Sequence, residues 1–175
     1  MKTLIAAATL VLALAGCASN VVHDRRVGDP AKVSTPYVDS VSLVPSDSAR
    51  TLLSENTNFS VDDMSTVLKR TLKDRDLLRP DSGQSMEVEL TDLRSRSGFS
   101  AVMFGALAGN DRVGGTVRIR DTSGTIIKKF DVSASYALGG FAGGITATRM
   151  NWLYEEFARQ SADALAGNVE KTTSR

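Results

Sequence analysis

Three stretches of this chain alternate apolar and polar residues with a period of two, and that pattern commits it to a sheet. In SMEVELTDL (residues 85–93), Met86, Val88 and Leu90 stand against Glu87, Glu89 and Thr91. Successive strand side chains point to opposite faces, so one face of this run is apolar and the other polar. RVGGTVRIRD sets Val117 and Ile119 against Arg118 and Arg120. In TIIKKFDVSASYA, Phe130, Val132, Ala134 and Tyr136 continue the apolar face. Asp121-Thr122-Ser123-Gly124 joins the last two runs as a hairpin turn, with Gly124 at the position that needs positive φ. A fourth, shorter strand is expected over Tyr37 to Val44, with Val41 and Leu43 opposite Ser40 and Ser42.

Two segments carry helical spacing instead. Ser60-Val61-Asp62-Asp63 forms an S-x-x-D capping box, and Val61, Met64, Leu68 and Leu72 follow on one face. Lys69, Arg70, Lys73 and Arg75 gather toward the C-terminal turns, where the helix dipole favours positive charge. Thr146 to Ala166 carries Met150, Leu153, Tyr154, Phe157 and Leu165 as an apolar stripe, stopped by Gly167 and Asn168. Between the first strand and the first helix, Leu52 and Leu53 fit a short helical turn. The order β-α-β-β-β-α predicts one α+β domain over residues 37–166. It is expected to be a four-stranded mixed or antiparallel sheet with two helices on one face. Residues 167–175 read as a disordered tail.

The N-terminus is expected to be processed. Lys2 gives a short positive region, and Leu4 to Leu14 is almost unbroken apolar sequence. Such a run is too short to span a bilayer, which takes about 20 residues, and fits a signal peptide. Leu14-Ala15-Gly16-Cys17 resembles the lipobox of bacterial lipoproteins. The resemblance implies removal of residues 1–16 and acylation of Cys17, by palmitate or similar chains, on its sulfur and new amino group. One acyl chain holds a protein only reversibly, whereas two or three hold it stably. By the same analogy Ala18, standing where an Asp would retain the protein on the inner membrane, directs it to the outer membrane facing the periplasm. Residues 17–36, polar and carrying Pro30 and Pro36, are expected to be a tether. His23, Arg25 and Arg26 within it are expected to be solvated.

Several kinds of chemistry are disfavoured. Loss of Lys2 leaves basic and acidic side chains equal in number, which argues against nucleic acid as a partner. The sole cysteine is committed to lipid, so neither a disulfide nor a thiolate site is expected. One histidine outside the expected domain leaves no serine-hydrolase base and no zinc site, and G-x-S-x-G is absent. Glu155 and Glu156 are adjacent on a helix and diverge by about 100°, so they make no catalytic pair. In GGFAGGIT, Gly139, Gly144 and Thr146 have phosphate-loop spacing, but Ile145 occupies the lysine position. No enzymatic activity, nucleotide, metal or cofactor is therefore expected beyond the covalent lipid.

Two glycine-rich segments remain, GFSAVMFGALAGN (98–110) and LGGFAGGI (138–145), and both are unusually apolar for loops. Phe99, Met103, Phe104, Leu107, Leu138, Phe141 and Ile145 are the candidate contact residues. Gly105/Gly109 and Gly139/Gly143 add small-residue spacing, which carries little weight outside a membrane helix. A protein partner, a second copy of the chain or the membrane interface would suit such a surface; burial over the sheet end is the alternative.

The C-terminal half resembles a family of small uncharacterised bacterial lipoproteins, a domain of unknown function. The matching residues are Gly109, Asn110, Val117, Ile119, Asp121, Gly124 and Ile126, within a Gly-rich segment, a strand ending in D-x-x-(S/T)-G, another strand and a final helix. No catalytic residues can be carried over from a family of unknown function. The α/β layout resembles small periplasmic domains that serve as adaptors in envelope complexes, so an adaptor or structural component of a cell-envelope assembly is expected; a lipoprotein binding lipid, glycan or peptide between sheet and helices is the other class.

Overall fold

A computed structural model of the chain describes residues 18–24, 35–97, 99, 109–137 and 145–167. Five strands form one sheet: β1 (Ala18–His23), β2 (Ser40–Pro45), β3 (Gln84–Arg94), β4 (Asp111–Asp121) and β5 (Ile126–Tyr136). Their spatial order is β1-β5-β4-β3-β2. All pairings are antiparallel except β2 with β3, which run parallel. A parallel pair needs a long crossover, supplied here by α1 (Asp47–Glu55) and α2 (Val61–Asp74). The third described helix, α3 (Thr146–Ala166), has the bounds its apolar stripe predicts.

The domain is thus α+β as expected, with two corrections. The sheet has a fifth strand, β1, in residues expected to be tether. ASNVVH contributes only one aliphatic residue, Val21, to the core side, so its composition reads as polar linker. Pairing with β5, from Ala18 opposite Ser135 to His23 opposite Phe130, makes it a strand. Strand identity of this kind comes from cross-strand partners more than from intrinsic preference. The second correction is α1, a full helix where a short turn was expected. Ser46 Oγ accepts from Ala49 N at 3.1 Å and caps it. Ala49 is its only fully buried residue, which is why the periodicity is faint.

One face of the sheet holds the core. Met86, Val88, Leu90, Val117, Phe130 and Val132 meet Met64, Leu68, Leu153 and Phe157 from α2 and α3. A register shift between Leu90 and Asp92 returns Leu93 to the core face. Gly115 admits α3 closely, because a Cβ there would stand 2.9 Å from Glu89 O and 3.2 Å from Phe157 Cζ. The capping box forms as its sequence predicts, with Asp63 N donating to Ser60 Oγ at 3.1 Å. α2 and α3 are further joined by Arg75 to Asp163 at 2.6 Å and by Ser60 N donating to the Tyr154 hydroxyl at 2.8 Å. Gly124 adopts φ +81°, closing the β4–β5 turn, and Gly167 ends α3 at φ +80°. Lys128 Nζ donates to the last carbonyls of α3, Ala164 O at 2.5 Å and Leu165 O at 3.2 Å, where the dipole favours a cation.

Candidate functional site

The ends of the sheet differ. At one, β3 finishes at Arg94, β4 begins at Asp111, β5 finishes at Tyr136 and α3 begins at Thr146. Both glycine-rich segments leave and re-enter the fold there, between Ser97 and Gly109 and between Ala137 and Ile145. This loop end is organised around three charged side chains with almost no solvent exposure: Arg96, Asp111 and Arg149.

Asp111 occupies a core-facing position at the start of β4, in phase with Val113, Val117 and Ile119. One carboxylate oxygen accepts from Arg96 N at 2.6 Å. The other accepts from Arg96 Nε at 3.2 Å, Arg96 Nη2 at 2.9 Å and Arg149 Nε at 2.9 Å. The guanidinium groups then reach outward. Arg96 Nη2 donates to Tyr136 O at 3.2 Å, and Arg149 Nη2 to Arg96 O at 3.1 Å and Thr146 Oγ1 at 3.4 Å. The cluster therefore ties together the roots of both glycine-rich segments. A buried charge is tolerated only when paired and hydrogen-bonded, as here. Two guanidinium groups converge on one carboxylate through charge-assisted hydrogen bonds, which makes the cluster a clamp.

Of the predicted contact residues, the structure describes Phe99 and Ile145, one from each segment. Both are large, apolar and exposed, at 70% and 73%. Met103, Phe104, Leu107, Leu138 and Phe141 lie outside the described residues, as does Cys17. Ala18 is exposed and opens β1. His23, expected to be solvated, is exposed but sits in β1 with its ring 5.5 Å from Phe130. Burial first, and the charge of Lys128 second, hold its pKa below the ordinary 6.5. Arg25 and Arg26 lie outside the described residues. Glu155 and Glu156 diverge as expected: the first pairs with Arg70, the second with Arg159. Among the described residues no three His, Cys, Asp or Glu side chains converge to hold a metal ion, and no described helix is long and apolar enough to cross a membrane.

The sheet face away from the helices carries a balanced ionic lattice. Arg118 bridges Glu87 at 3.1 Å and Glu89 at 2.7 Å, and Arg120 reaches Glu87 at 3.1 Å. Arg112 pairs with Asp92, and Thr116 Oγ1 donates to Asp131 at 2.6 Å.

Sequence reasoning missed the Arg96–Asp111–Arg149 cluster, although a signal existed. Asp111 falls in the apolar phase of its strand, and Arg149 lies one turn before Leu153 on the apolar stripe of α3.

Fold and site together describe a small α+β domain with a clamped, apolar loop end. The chain belongs to the family described as Domain of unknown function (DUF4410), whose profile matches residues 32–140. That span holds β2 to β5, Arg96 and Asp111, and stops short of Arg149. It agrees with the expected kinship to a family of uncharacterised function. No curated protein matches the chain. Solved structures similar to it include a substituted PelC dodecamer from Paraburkholderia phytofirmans, at 11% identity and TM-score 0.49, covering 85% of this chain and 98% of that one. Another crystal form of the PelC dodecamer gives 12% and 0.46, covering 87% and 100%. A minor lipoprotein from Acinetobacter baumannii gives 14% and 0.43, covering 74% and 94%. At such values neither assembly state nor partner transfers to this chain.

Proposed function

We propose that the protein is a non-enzymatic component of a cell-envelope assembly, anchored on the outer membrane through an acylated Cys17 and facing the periplasm. The observation that carries this reading is the pair Phe99 and Ile145, more than two-thirds exposed at the roots of two glycine-rich apolar segments. Leaving large apolar side chains in water is unfavourable, and exposed apolar residues of this size mark a contact with protein or with the membrane. The buried clamp beneath holds both roots in fixed relation, which suits binding and not turnover.

Photocrosslinking in intact cells tests the reading. A photoreactive side chain is placed at Phe99, at Ile145 and at Thr116 on the open sheet face. An envelope protein, or a second copy of this chain, is the expected adduct from at least one position. Absence of protein adducts from all three would refute the assembly role.

A further inference from the structure

The position of β1 bears on what covers the loop end. Ala18 pairs with Ser135, Ser135 with Arg112, and Arg112 with Arg94, so these residues form one row across four strands. Cys17 precedes Ala18 by one residue, and consecutive Cα atoms are about 3.8 Å apart. A lipid on Cys17 is therefore held beside the last rung of the sheet, at the end where Tyr136 and Asp111 pair. From that end the chain departs at Ser97 and Ala137 and returns at Gly109 and Ile145. The strand then carries the chain away from that end, to His23 opposite Phe130 in the middle of β5, where Asp24 N donates to Lys129 O at 3.1 Å. Only the peptide bond from Cys17 to Ala18 would stand between a lipid on Cys17 and the first paired residue of the sheet.

The geometry points to the bilayer leaflet that holds the anchor as the occupant of the loop end, with Phe99 and Ile145 entering the lipid interface. The inference rests on the proposed acylation of Cys17 and names what that end of the protein touches. Acyl chains attached next to Ala18 must enter the leaflet at once, which brings the whole sheet end to its surface. The two most exposed large apolar residues described are at that end; the other two, Val22 and Val44, are less exposed, at 55% and 46%, and project from the open sheet face. Burial of Phe99 and Ile145 in lipid removes apolar area from water and adds to the acyl chains in holding the domain. The protein stands on the membrane by its loop end, with α3 running away from the surface and the open sheet face left free along the side for protein contacts.

Fluorescence quenching by brominated lipid tests this. Full-length acylated protein carrying Trp152→Phe receives a single tryptophan by Phe99→Trp, Ile145→Trp or Thr122→Trp, the last in the turn at the opposite end. Each is reconstituted into phosphatidylethanolamine–phosphatidylglycerol vesicles with brominated acyl chains, and circular dichroism verifies the fold. Tryptophan at positions 99 and 145 is expected to lose emission and shift to the blue, while that at 122 is unchanged. Equal quenching at all three positions, or none at 99 and 145, overturns the inference. Protein adducts from 99 and 145 without lipid quenching reject membrane seating but leave the assembly role standing. An unacylated mature chain removes the anchor on which both depend.

Discussion

Asp111 and Arg149, from the first residue of β4 and the first turn of α3, meet at 2.9 Å with both side chains withdrawn from solvent. Through that contact the last helix is held to the sheet at the end where both glycine-rich segments begin and finish. The second arginine, Arg96, approaches the same carboxylate from the end of β3.

This arrangement predicts an order of costs. Asp111→Asn leaves two buried guanidinium groups without their counter-charge and should destabilise by about 3–5 kcal/mol. Arg149→Met leaves Asp111 with its three contacts to Arg96 and should cost about 1–3 kcal/mol. Urea unfolding of both variants gives the comparison, and a larger loss for Arg149→Met would contradict the central place of the carboxylate.

Neighbouring glycines in β4 should behave differently. At Gly115 a methyl group would collide with backbone, Glu89 O at 2.9 Å, which cannot move aside cheaply. Gly115→Ala is expected to cost about 1–3 kcal/mol, as overpacking does. At Gly114, on the open face, the nearest atom to an added Cβ is 3.6 Å away, so Gly114→Ala should stay within about 1 kcal/mol of the parent. Thermal melts of the two variants decide between these outcomes.

The open-face lattice predicts a pH dependence. The hydrogen bond from Arg120, then its charge and that of Arg118, hold the Glu87 carboxyl below the usual glutamate range. The native state thus binds fewer protons than the unfolded chain, and stability rises with pH across that window. Glu87→Gln should lower stability by about 1 kcal/mol near neutrality. The contribution is complete above the unfolded value of about 4.3 and is lost as pH falls through the depressed native one. A gap between parent and variant that stays constant down to acid pH would show that the charge is not involved.

A second titration concerns β1. His23 is held below its ordinary pKa, so protonation opposes the native packing against Phe130. The stabilising contribution is present above about pH 6.5 and lost as pH falls through the lowered native value. Hydrogen exchange of the β1 amides should accelerate, relative to β4, on going from neutral to mildly acidic solution. His23→Phe should remove the difference, and persistence of the effect in that variant would assign it elsewhere.

Much of the fold is legible in the sequence because its signals are local. Ser60 and Asp63 announce the start of α2, Gly124 closes the β4–β5 turn, and Met150 through Leu165 mark α3. β1 was not legible, since its structure depends on β5, more than a hundred residues away in the chain. The clamp was obscured for a related reason. Arg96, Asp111 and Arg149 are ordinary charged residues until the fold brings them within hydrogen-bonding reach. The one local signal, which sequence reasoning passed over, is a carboxylate in an apolar strand phase and a guanidinium on an apolar helix stripe.

The most direct measurement of the account is the intact mass of the protein extracted from membranes. A chain beginning at Cys17, with diacylglycerol on its sulfur and an acyl group on its amino terminus, is the predicted result. A chain that retains Lys2, or one that carries Cys17 as an unmodified thiol, would contradict it.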